Sequence, residues 1–406
     1  MEFKGKRALV LGAGISGDSA KEFLTARGAS VVVYEDKIGG EVDGKFDLCV
    51  ISPGISINHP LAQKYRDVLI SELDLGFCEK HGKVIGVTGT NGKTTVVGML
   101  HRVFRGSVLC GNVGVPVTAV DIRKKTAVVE VSSFQLEVPP KYFRPDVSIV
   151  LNVTQDHLER HGTMEEYTAC KMRIRGAVSI LNYDDAICRA NGDANTLWFS
   201  TKERVNGAYL DGDTVTVNFG KLRKTFKLSD FGATLAEHDI ANILAVVLAG
   251  CVMRVSRKRI VMGCRTAKSP HRIEYVATIG NAVFYNDSKA TNVAATLAAC
   301  RSFGDMPINL ILGGVPKGQD FSVLFRDLPA NVENIFAIGE AAPDIIECSN
   351  GRALKCETLN EAVDNAANVG VGARVVLLSP ACASFDMFRN YAHRGDEFKR
   401  IVLDLK

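Results

Sequence analysis

The feature that most constrains this chain is an alternation that runs through all of it: short apolar runs, each followed by a stretch with helical spacing. A strand apolar on both faces needs helices on both sides, which is the condition of a parallel sheet. The expected class is therefore α/β. Arg7 to Leu11, Ser30 to Tyr34, Leu48 to Ser52 and Val68 to Ser71 form a first series, closed by a helical stretch ending at His81-Gly82. Val84 to Val87, Thr126 to Val131 and Val147 to Leu151 begin a second. Between Gly207 and Asp230 the pattern becomes alternating β with an Asp211-Gly212 turn, which predicts a small antiparallel ribbon. A last helix of this unit is predicted near Ala236 to Met253. A third series follows Ser269-Pro270, with strands at Ala282 to Asn286, Ile308 to Leu312, Ile335 to Ile338 and Val375 to Ser379. For 406 residues, at roughly 150 per domain, the reading is three α/β domains over 1–82, 83–268 and 269–406.

Hydrophobic residues at 46 % and charged residues at 23 % exclude a disordered or fibrous chain. The apolar stretch Ile240 to Met253 falls short of the roughly 18 to 20 residues that span a bilayer, so no membrane insertion is expected. No apolar leader precedes the first strand. The 11 cysteines, odd in number and without a C-x-x-C pair, fit reduced thiols. Both points predict a cytoplasmic protein. A net charge of +4 is too mild to imply a nucleic-acid partner, and a monomer is expected. The basic cluster from Arg254 to Arg259 reads as a solvated helix end.

Gly12-Ala-Gly14-Ile-Ser-Gly17 lies between the first strand and a helix, with Glu35 and Asp36 ending the second strand. Read by itself this is a dinucleotide fingerprint and points to NAD. Its physics is more general, because glycines and a helix amino end suit any nucleoside diphosphate, and glycine also serves a purely structural turn. A second loop, Gly86-Val-Thr-Gly89-Thr-Asn-Gly92-Lys93-Thr94-Thr95, ends like a P-loop. The strict spacing would need glycine where Val87 stands, yet the mechanism survives: a glycine-rich nest for phosphate, Lys93 for terminal phosphates, Thr94 for Mg2+.

Glu130 ends an apolar strand and is a natural second metal ligand, or else a capping residue. Asn152-Val-Thr154-Gln-Asp156-His157 follows another strand and places an imidazole near the same crevice. His157 and His161 have the spacing of a zinc helix but no further ligand cluster. Thr163 and Glu166 form a capping box that starts a helix, with Met164, Tyr167, Lys171, Ile174 and Val178 on one face if it runs that far. Lys171 on an apolar face is either snorkelling or functional. Asn286-Asp-Ser-Lys-Ala-Thr-Asn292 and Ser379-Pro-Ala-Cys-Ala-Ser-Phe385 put polar groups at two more strand ends. Cys382 has no matched histidine for a thiol mechanism.

With these motifs in this order, the chain resembles the Mur ligases over essentially its whole length. The segment from Gly89 to Thr95 is similar to the wider superfamily, folylpolyglutamate synthases included. Asn286 to Asn292 and Ser379 to Ser384 resemble the D-glutamate-adding branch. The resemblance implies a Rossmann-like first domain, a P-loop ATPase-like central domain and a Rossmann-like third. It implies that ATP phosphorylates the carboxylate of UDP-N-acetylmuramoyl-L-alanine and that D-glutamate attacks the acyl phosphate. Two Mg2+ ions are implied, the first on Thr94 and Glu130, the second on His157 and a carbamylated Lys171.

By the same likeness, Gly89, Thr90, Asn91, Gly92, Lys93, Thr94, Thr95, Asn242, Arg272 and Asp287 face ATP. Gly14, Ile15, Ser16, Asp36, Lys37, Asn112, Ser133 and Gln135 face the UDP substrate. Lys289, Thr291, Lys317, Ser384 and Phe385 face D-glutamate. Lys93, Glu130, His157 and Lys171 carry the chemistry. Two departures from the family pattern stand out: Ala236 and Asp239 in Ala236-Glu-His238-Asp239-Ile-Ala-Asn242, and the charge of Asp36 beside a diphosphate, which Lys37 must compensate. Competing readings are another ligase of the superfamily, an NAD-dependent oxidoreductase, and a nucleotide-binding module without catalysis. Lysines and metal-type side chains at four separate strand ends favour a ligase.

Overall fold

The computed structural model describes residues 1–36, 42–79, 81–232, 235–265 and 270–405. Lys37 and Ser269 lie outside the described residues.

Strands β1 (Arg7–Leu11), β2 (Ser30–Tyr34), β3 (Leu48–Ile51) and β4 (Leu69–Ser71) form a four-stranded sheet in the order β2-β1-β3-β4. All of its pairings are parallel. The central sheet has nine strands. These are β5 (Val84–Thr88), β6 (Val108–Gly111), β7 (Ala127–Glu130), β8 (Val147–Val150), β9 (Val178–Asn182), β10 (Thr196–Ser200), β11 (Gly207–Asp211), β12 (Thr214–Phe219) and β13 (Leu222–Lys227), in the order β13-β12-β11-β10-β9-β8-β5-β7-β6. Strands β14 (Glu274–Ile279), β15 (Ala282–Asn286), β16 (Ile308–Gly313), β17 (Val332–Ile338), β18 (Ala353–Lys355) and β19 (Arg374–Leu378) form the third, ordered β14-β15-β19-β16-β17-β18.

Burial follows the sequence logic. Every residue of β5, β7 and β8 is buried, as a strand covered on both faces requires. In β13 burial alternates with exposure, the mark of a sheet with one wet face. The helix Glu237–Val252 is buried along nearly all its length and packs with Lys93–Val103 against the central sheet. No helix among the described residues is long and apolar enough to cross a membrane.

One expectation needs correction and two gain detail. The expected antiparallel ribbon is present as β11 to β13, and because β11 pairs in parallel with β10, Trp198 opposite Gly207, it extends the central sheet. Backbone hydrogen bonds left open on β10 are thereby satisfied. The helix near Ala236 to Met253 is not the last of its unit. A further helix, Arg257–Cys264, buries Ile260, Gly263 and Cys264. A Cβ on Gly263 would lie 2.6 Å from the backbone nitrogen of Val103, so this glycine lets the helix approach its neighbour closely. The basic residues Arg257 and Lys258 occupy that helix's wet face. Finally, the helix begun by the Thr163 cap stops at Met172 rather than running on to Val178, which belongs to β9.

By internal packing the chain divides into two compact units, Met1–Val153 with Thr163–Thr266, and Thr154–Gly162 with Ala267–Lys406. The first holds the first two sheets. They are stitched by the short helix Glu72–Gly76, whose Asp74 carboxylate accepts from the backbone nitrogens of Lys141, Tyr142 and Phe143 at 2.8, 2.7 and 2.8 Å. Glu72 Oε1 accepts from the nitrogen and hydroxyl of Thr118 at 2.8 and 2.7 Å. The second unit holds the third sheet.

In the first glycine loop the three glycines do different work. Gly12 has φ +95, a Cβ on Gly17 would sit 1.8 Å from the Gly12 carbonyl oxygen, and Gly14 meets nothing within 4 Å. Gly17 is therefore a packing residue, and Gly14 leaves open space over the helix start. We expect Gly17→Ala to destabilise the fold by about 1–3 kcal/mol, the usual cost of overpacking. Gly14→Ala should stay within about 0.5 kcal/mol of wild type. Denaturant unfolding of the two variants checks this, and equal effects would contradict the division of labour.

Candidate active site

The loop from Gly89 to Gly92 connects β5 to the helix Lys93–Val103. Asn152, just past β8, clamps it from both sides: its Oδ1 accepts from Asn91 N at 2.8 Å, and its Nδ2 donates to Asn91 O at 3.1 Å. Its carbonyl also takes Thr90 N at 2.9 Å. The Thr90 hydroxyl meets Tyr167 OH at 3.1 Å. Gly92 has φ +88, and a Cβ there would come within 2.7 Å of Asn242 Oδ1. Asn242 of the buried helix is thus brought against the loop. Thr94 and Thr95 are half-buried in the first turn of the helix.

Two lysines converge on this loop. Lys93 Nζ donates to Gly89 O at 2.7 Å and to Thr90 O at 2.9 Å. Lys171, only 2 % exposed, donates to the same Gly89 oxygen at 3.0 Å and lies 4.4 Å from the Tyr167 ring centroid. Snorkelling is thereby set aside, because the Lys171 end is buried rather than led out to water. Lys171 shares the buried side of its helix with Tyr167 and Cys170.

Glu130 ends β7, opposite Val87 of β5 in register, and is 1 % exposed. Its Oε1 accepts from Asn112 Nδ2 at 2.9 Å, while the buried Oε2 has no hydrogen-bond partner among the described residues. An orphaned carboxylate oxygen is costly unless a cation takes it. With the Thr94 hydroxyl it offers hard oxygen ligands of the kind Mg2+ prefers. No group of three His, Cys, Asp or Glu suited to a metal occurs among the described residues. Gln135 is buried with its Oε1 accepting from Ser132 N and Oγ at 3.0 and 3.2 Å, and Ser133 is buried beside it.

At the first glycine loop, Ile15 is 80 % exposed and Ala13 N donates to Glu35 at 2.7 Å. Asp36 is paired by a residue the sequence reading missed: His59 Nε2 lies 2.9 Å from Asp36 Oδ1. Since His59 Nδ1 accepts from Leu61 N at 3.2 Å, capping the helix Pro60–Lys64, the ring proton is on Nε2 and is donated to Asp36. The Pro60 that follows His59 marks a helix start and was the available signal.

In the second unit, Lys317 Nζ reaches Asp156 Oδ1 at 3.5 Å and Thr291 Oγ1 at 3.4 Å. Lys289 Nζ is 5.8 Å from the Tyr391 ring centroid. Ser384 is buried and Phe385 is 73 % exposed. His157, at φ 55, is held by Glu159 at 3.3 Å and Asp156 at 3.7 Å, and burial keeps its imidazole below its ordinary range. Cys382 is fully buried and its thiol is pushed up to about 12 by burial, which disqualifies it as a nucleophile. Asp287 accepts from Ser379 Oγ at 2.8 Å and from Ile273 N at 3.2 Å.

Residues 87–250 match the family described as Mur ligase middle domain. Over 99 % of its length the chain is 35 % identical to the UDP-N-acetylmuramoylalanine–D-glutamate ligase of Koribacter versatilis, across 98 % of that protein. It is 37 % identical to the same ligase of Acidobacterium capsulatum, with 99 % and 97 % covered. The chain belongs to the UDP-N-acetylmuramoylalanine–D-glutamate ligase family. Its fold is that of solved Mur-type ligases. A pseudomurein peptide ligase type C from Methanothermus fervidus superposes with TM-score 0.66 at 18 % identity, covering 99 % of this chain and 100 % of that one. MurF from Acinetobacter baumannii gives 0.62 at 18 % identity, covering 100 % and 91 %. Membership of this ligase family removes the oxidoreductase and the non-catalytic module as readings of the two glycine loops.

Within the ligase fold the departures from the family pattern have local answers. The Asp36 carboxylate at the first glycine loop accepts a hydrogen bond from His59. Asp239 Oδ2 accepts from Ala236 N at 3.4 Å, capping the helix that carries Asn242. Asp287 gives a pH test. Burial raises its carboxyl from an ordinary 3.8 to about 6, against the nearby Arg272 cation and its two donors. Between about pH 4 and 6 the unfolded chain has released this proton while the folded ligase keeps it. The group's contribution to stability therefore falls as pH rises through that window and is flat above it. Asp287→Asn removes the titration, so its stability relative to wild type is expected to improve between about pH 4.5 and 7 in denaturant unfolding. A constant difference across the window would refute the raised carboxyl.

Proposed function

We propose that this chain uses ATP and Mg2+ to join D-glutamate to the carboxylate of UDP-N-acetylmuramoyl-L-alanine, forming an amide with ADP and phosphate as the other products, in peptidoglycan precursor synthesis. The observation that carries this reading is the full-length likeness to relatives named for that reaction, 35 % and 37 % identical over 99 % of the chain. The chemistry requires two anions, a carboxylate and a triphosphate, to meet. Positive charge and alignment are then the main needs.

Lys93 and the backbone of the loop from Gly89 to Thr95 hold the phosphates, with Asn242 beside them. Thr94 and Glu130 hold Mg2+, for which the orphaned Oε2 of Glu130 is the supporting observation. When bound, Mg2+ neutralises phosphate charge and aligns the transferred group. Gly14, Ile15, Ser16 and Asp36, with Lys37, take the uridine diphosphate. Ser133 and Gln135 take the muramoyl part, while Asn112 orients Glu130. Arg272 and Asp287 are proposed on the nucleotide side. Lys289, Thr291, Lys317, Ser384 and Phe385 take D-glutamate, whose two carboxylates need cations and donors. The domain limits proposed are 1–82, 83–268 and 269–406, a division supported by one sheet falling within each. A cytoplasmic location is proposed on the reduced thiols.

Lys171 is proposed to work as a carbamate formed with CO2, adding an oxygen ligand for a second Mg2+; His157 is proposed as a ligand on the resemblance. The support is electrostatic. Lys93 and Lys171 both donate to one carbonyl oxygen. Two ammonium groups so close in a buried place repel, which favours the neutral amine on the more buried one. The neutral amine is the form that CO2 requires, and carbamylation reverses the sign of the charge.

Two experiments test these assignments. Lys93→Ala is expected to lower D-glutamate-dependent phosphate release by about a hundredfold or more, and wild-type turnover at saturating ATP would remove the loop from the mechanism. Lys171→Ala is expected to be inactive and partly rescued by acetate. Full activity of that variant in CO2-depleted buffer would end the carbamate assignment.

A further inference from the structure

Arg394 stands in the first turns of the helix Tyr391–Asp404 and, among the described residues, is the largest side chain that the fold buries completely, at 1 % exposure. A guanidinium has five N–H donors in a rigid planar fork. Here all five are used. Nε donates to Ser288 Oγ at 2.9 Å, and Nη2 to Ser288 O at 2.9 Å and Cys382 O at 3.1 Å. Nη1 donates to Gly313 O and Ala383 O, each at 3.3 Å. Every one of these acceptors is neutral.

The acceptors lie at three strand ends: the last residue of β16 and the loops that follow β15 and β19. The loops at these ends carry Lys289 and Thr291, Lys317, and Ser384. Two of the three are also joined by the backbone pair Val315 and Ala383, at 2.9 and 3.1 Å. The third, with Ser288, is tied to them through Arg394. Gly314 permits this approach: its φ is +130, and a Cβ would lie 2.1 Å from Ala383 O and 3.1 Å from Arg394 Nη1.

We propose that Arg394 is a positioning residue of the amino-acid pocket, fixing the spacing of the three loops and holding a permanent positive charge behind them. The inference deepens the ligase reading and rests on it. Packing alone is a poor reason for this residue, because an apolar side chain would fill the volume without desolvating a cation. Its place near a helix amino end adds a second electrostatic cost. Burial draws the guanidinium down to about 10, which leaves it charged at neutral pH. The Asp386 carboxylate acts on this charge from a distance but is not among its hydrogen-bond partners, so the charge, held by carbonyl dipoles, remains available to an anion. D-glutamate brings two carboxylates, and the lysines at this site depend on the loops for their placement.

The test compares wild type with Arg394→Lys, which keeps the charge but has three donors, Arg394→Met, which loses both, and Ser288→Ala, which loses one acceptor. Steady-state kinetics are measured for D-glutamate, ATP and the UDP substrate, beside thermal unfolding. Arg394→Lys is expected to raise the KM for D-glutamate by about tenfold or more while the KM for ATP stays within about twofold. Arg394→Met is expected to lose about a hundredfold in kcat/KM for D-glutamate, the scale of a misplaced binding group. Ser288→Ala shows a smaller rise in the same KM. Folded Arg394 variants with an unchanged KM for D-glutamate, or with all three KM values moved alike, would overturn the inference. If neither Arg394 variant folds, Ser288→Ala decides, and its unchanged KM for D-glutamate would likewise overturn it. A wild-type enzyme whose phosphate release ignores D-glutamate would instead refute the ligase reading itself.

Discussion

Positive charge buried against main-chain oxygen is the constraint on which this structure turns. Arg394 is 1 % exposed and donates to backbone carbonyls at the ends of parallel strands. Lys93 does the same within its own loop. Burying a cation is expensive, and carbonyl dipoles offset part of the cost without cancelling the charge. A carboxylate partner would offset more and would leave less for an anionic substrate. A chain that must bring a carboxylate to a triphosphate needs the first arrangement.

That need fixes the geometry of the loops. A carbonyl can turn toward a lysine or a guanidinium only where the backbone leaves the strand conformation. The positive φ values at Gly89, Gly92, Gly313 and Gly314 mark those points. Side chains would obstruct at several of them, since a Cβ on Gly313 would lie 1.9 Å from Ile338 O. The strands themselves are buried and apolar, so the chemistry is displaced to their carboxyl ends. Register then decides which ends meet: Val87 opposite Glu130 brings the carboxylate beside the phosphate loop.

This division explains what could be read in the sequence. The bounds of β1, β2 and β15 were legible to the residue, each as a mostly apolar run between turn signals, whereas β6, β9, β10, β14 and β18 were not read. The glycine loops, Lys93, Glu130 and Lys171 were legible because their residue types are unusual where they stand. Asn152 was visible only as part of a motif, and its clamp on Asn91 spans 61 residues of chain. His59 and Asp36 are likewise joined only by the fold, 23 residues apart. The extension of the central sheet by β11 to β13 was missed for a similar reason. Alternation reveals that a strand has a wet face, but it carries no information about which strand lies beside it. The helix Arg257–Cys264 was hidden by its own basic start, which masked the buried Ile260, Gly263 and Cys264 behind it.

Several residues expected to face substrate also hold hydrogen bonds within the fold. Asn112 commits Nδ2 to Glu130, Asp287 is closed in by Ser379 and Ile273, and Gln135 is engaged by Ser132. A motif records which side chains occur together and does not distinguish a group that meets the ligand from one that aims it. Glu130 shows why the aiming group matters. One of its oxygens is fixed by Asn112, so the other cannot rotate into that bond and is left directed elsewhere. An unpartnered buried oxygen costs about 1–3 kcal/mol, a strain the surrounding buried strands must hold in place. The fold accepts that loss at a position where a cation would repay it, and the arrangement ties the stability of the central sheet to the chemistry at its edge.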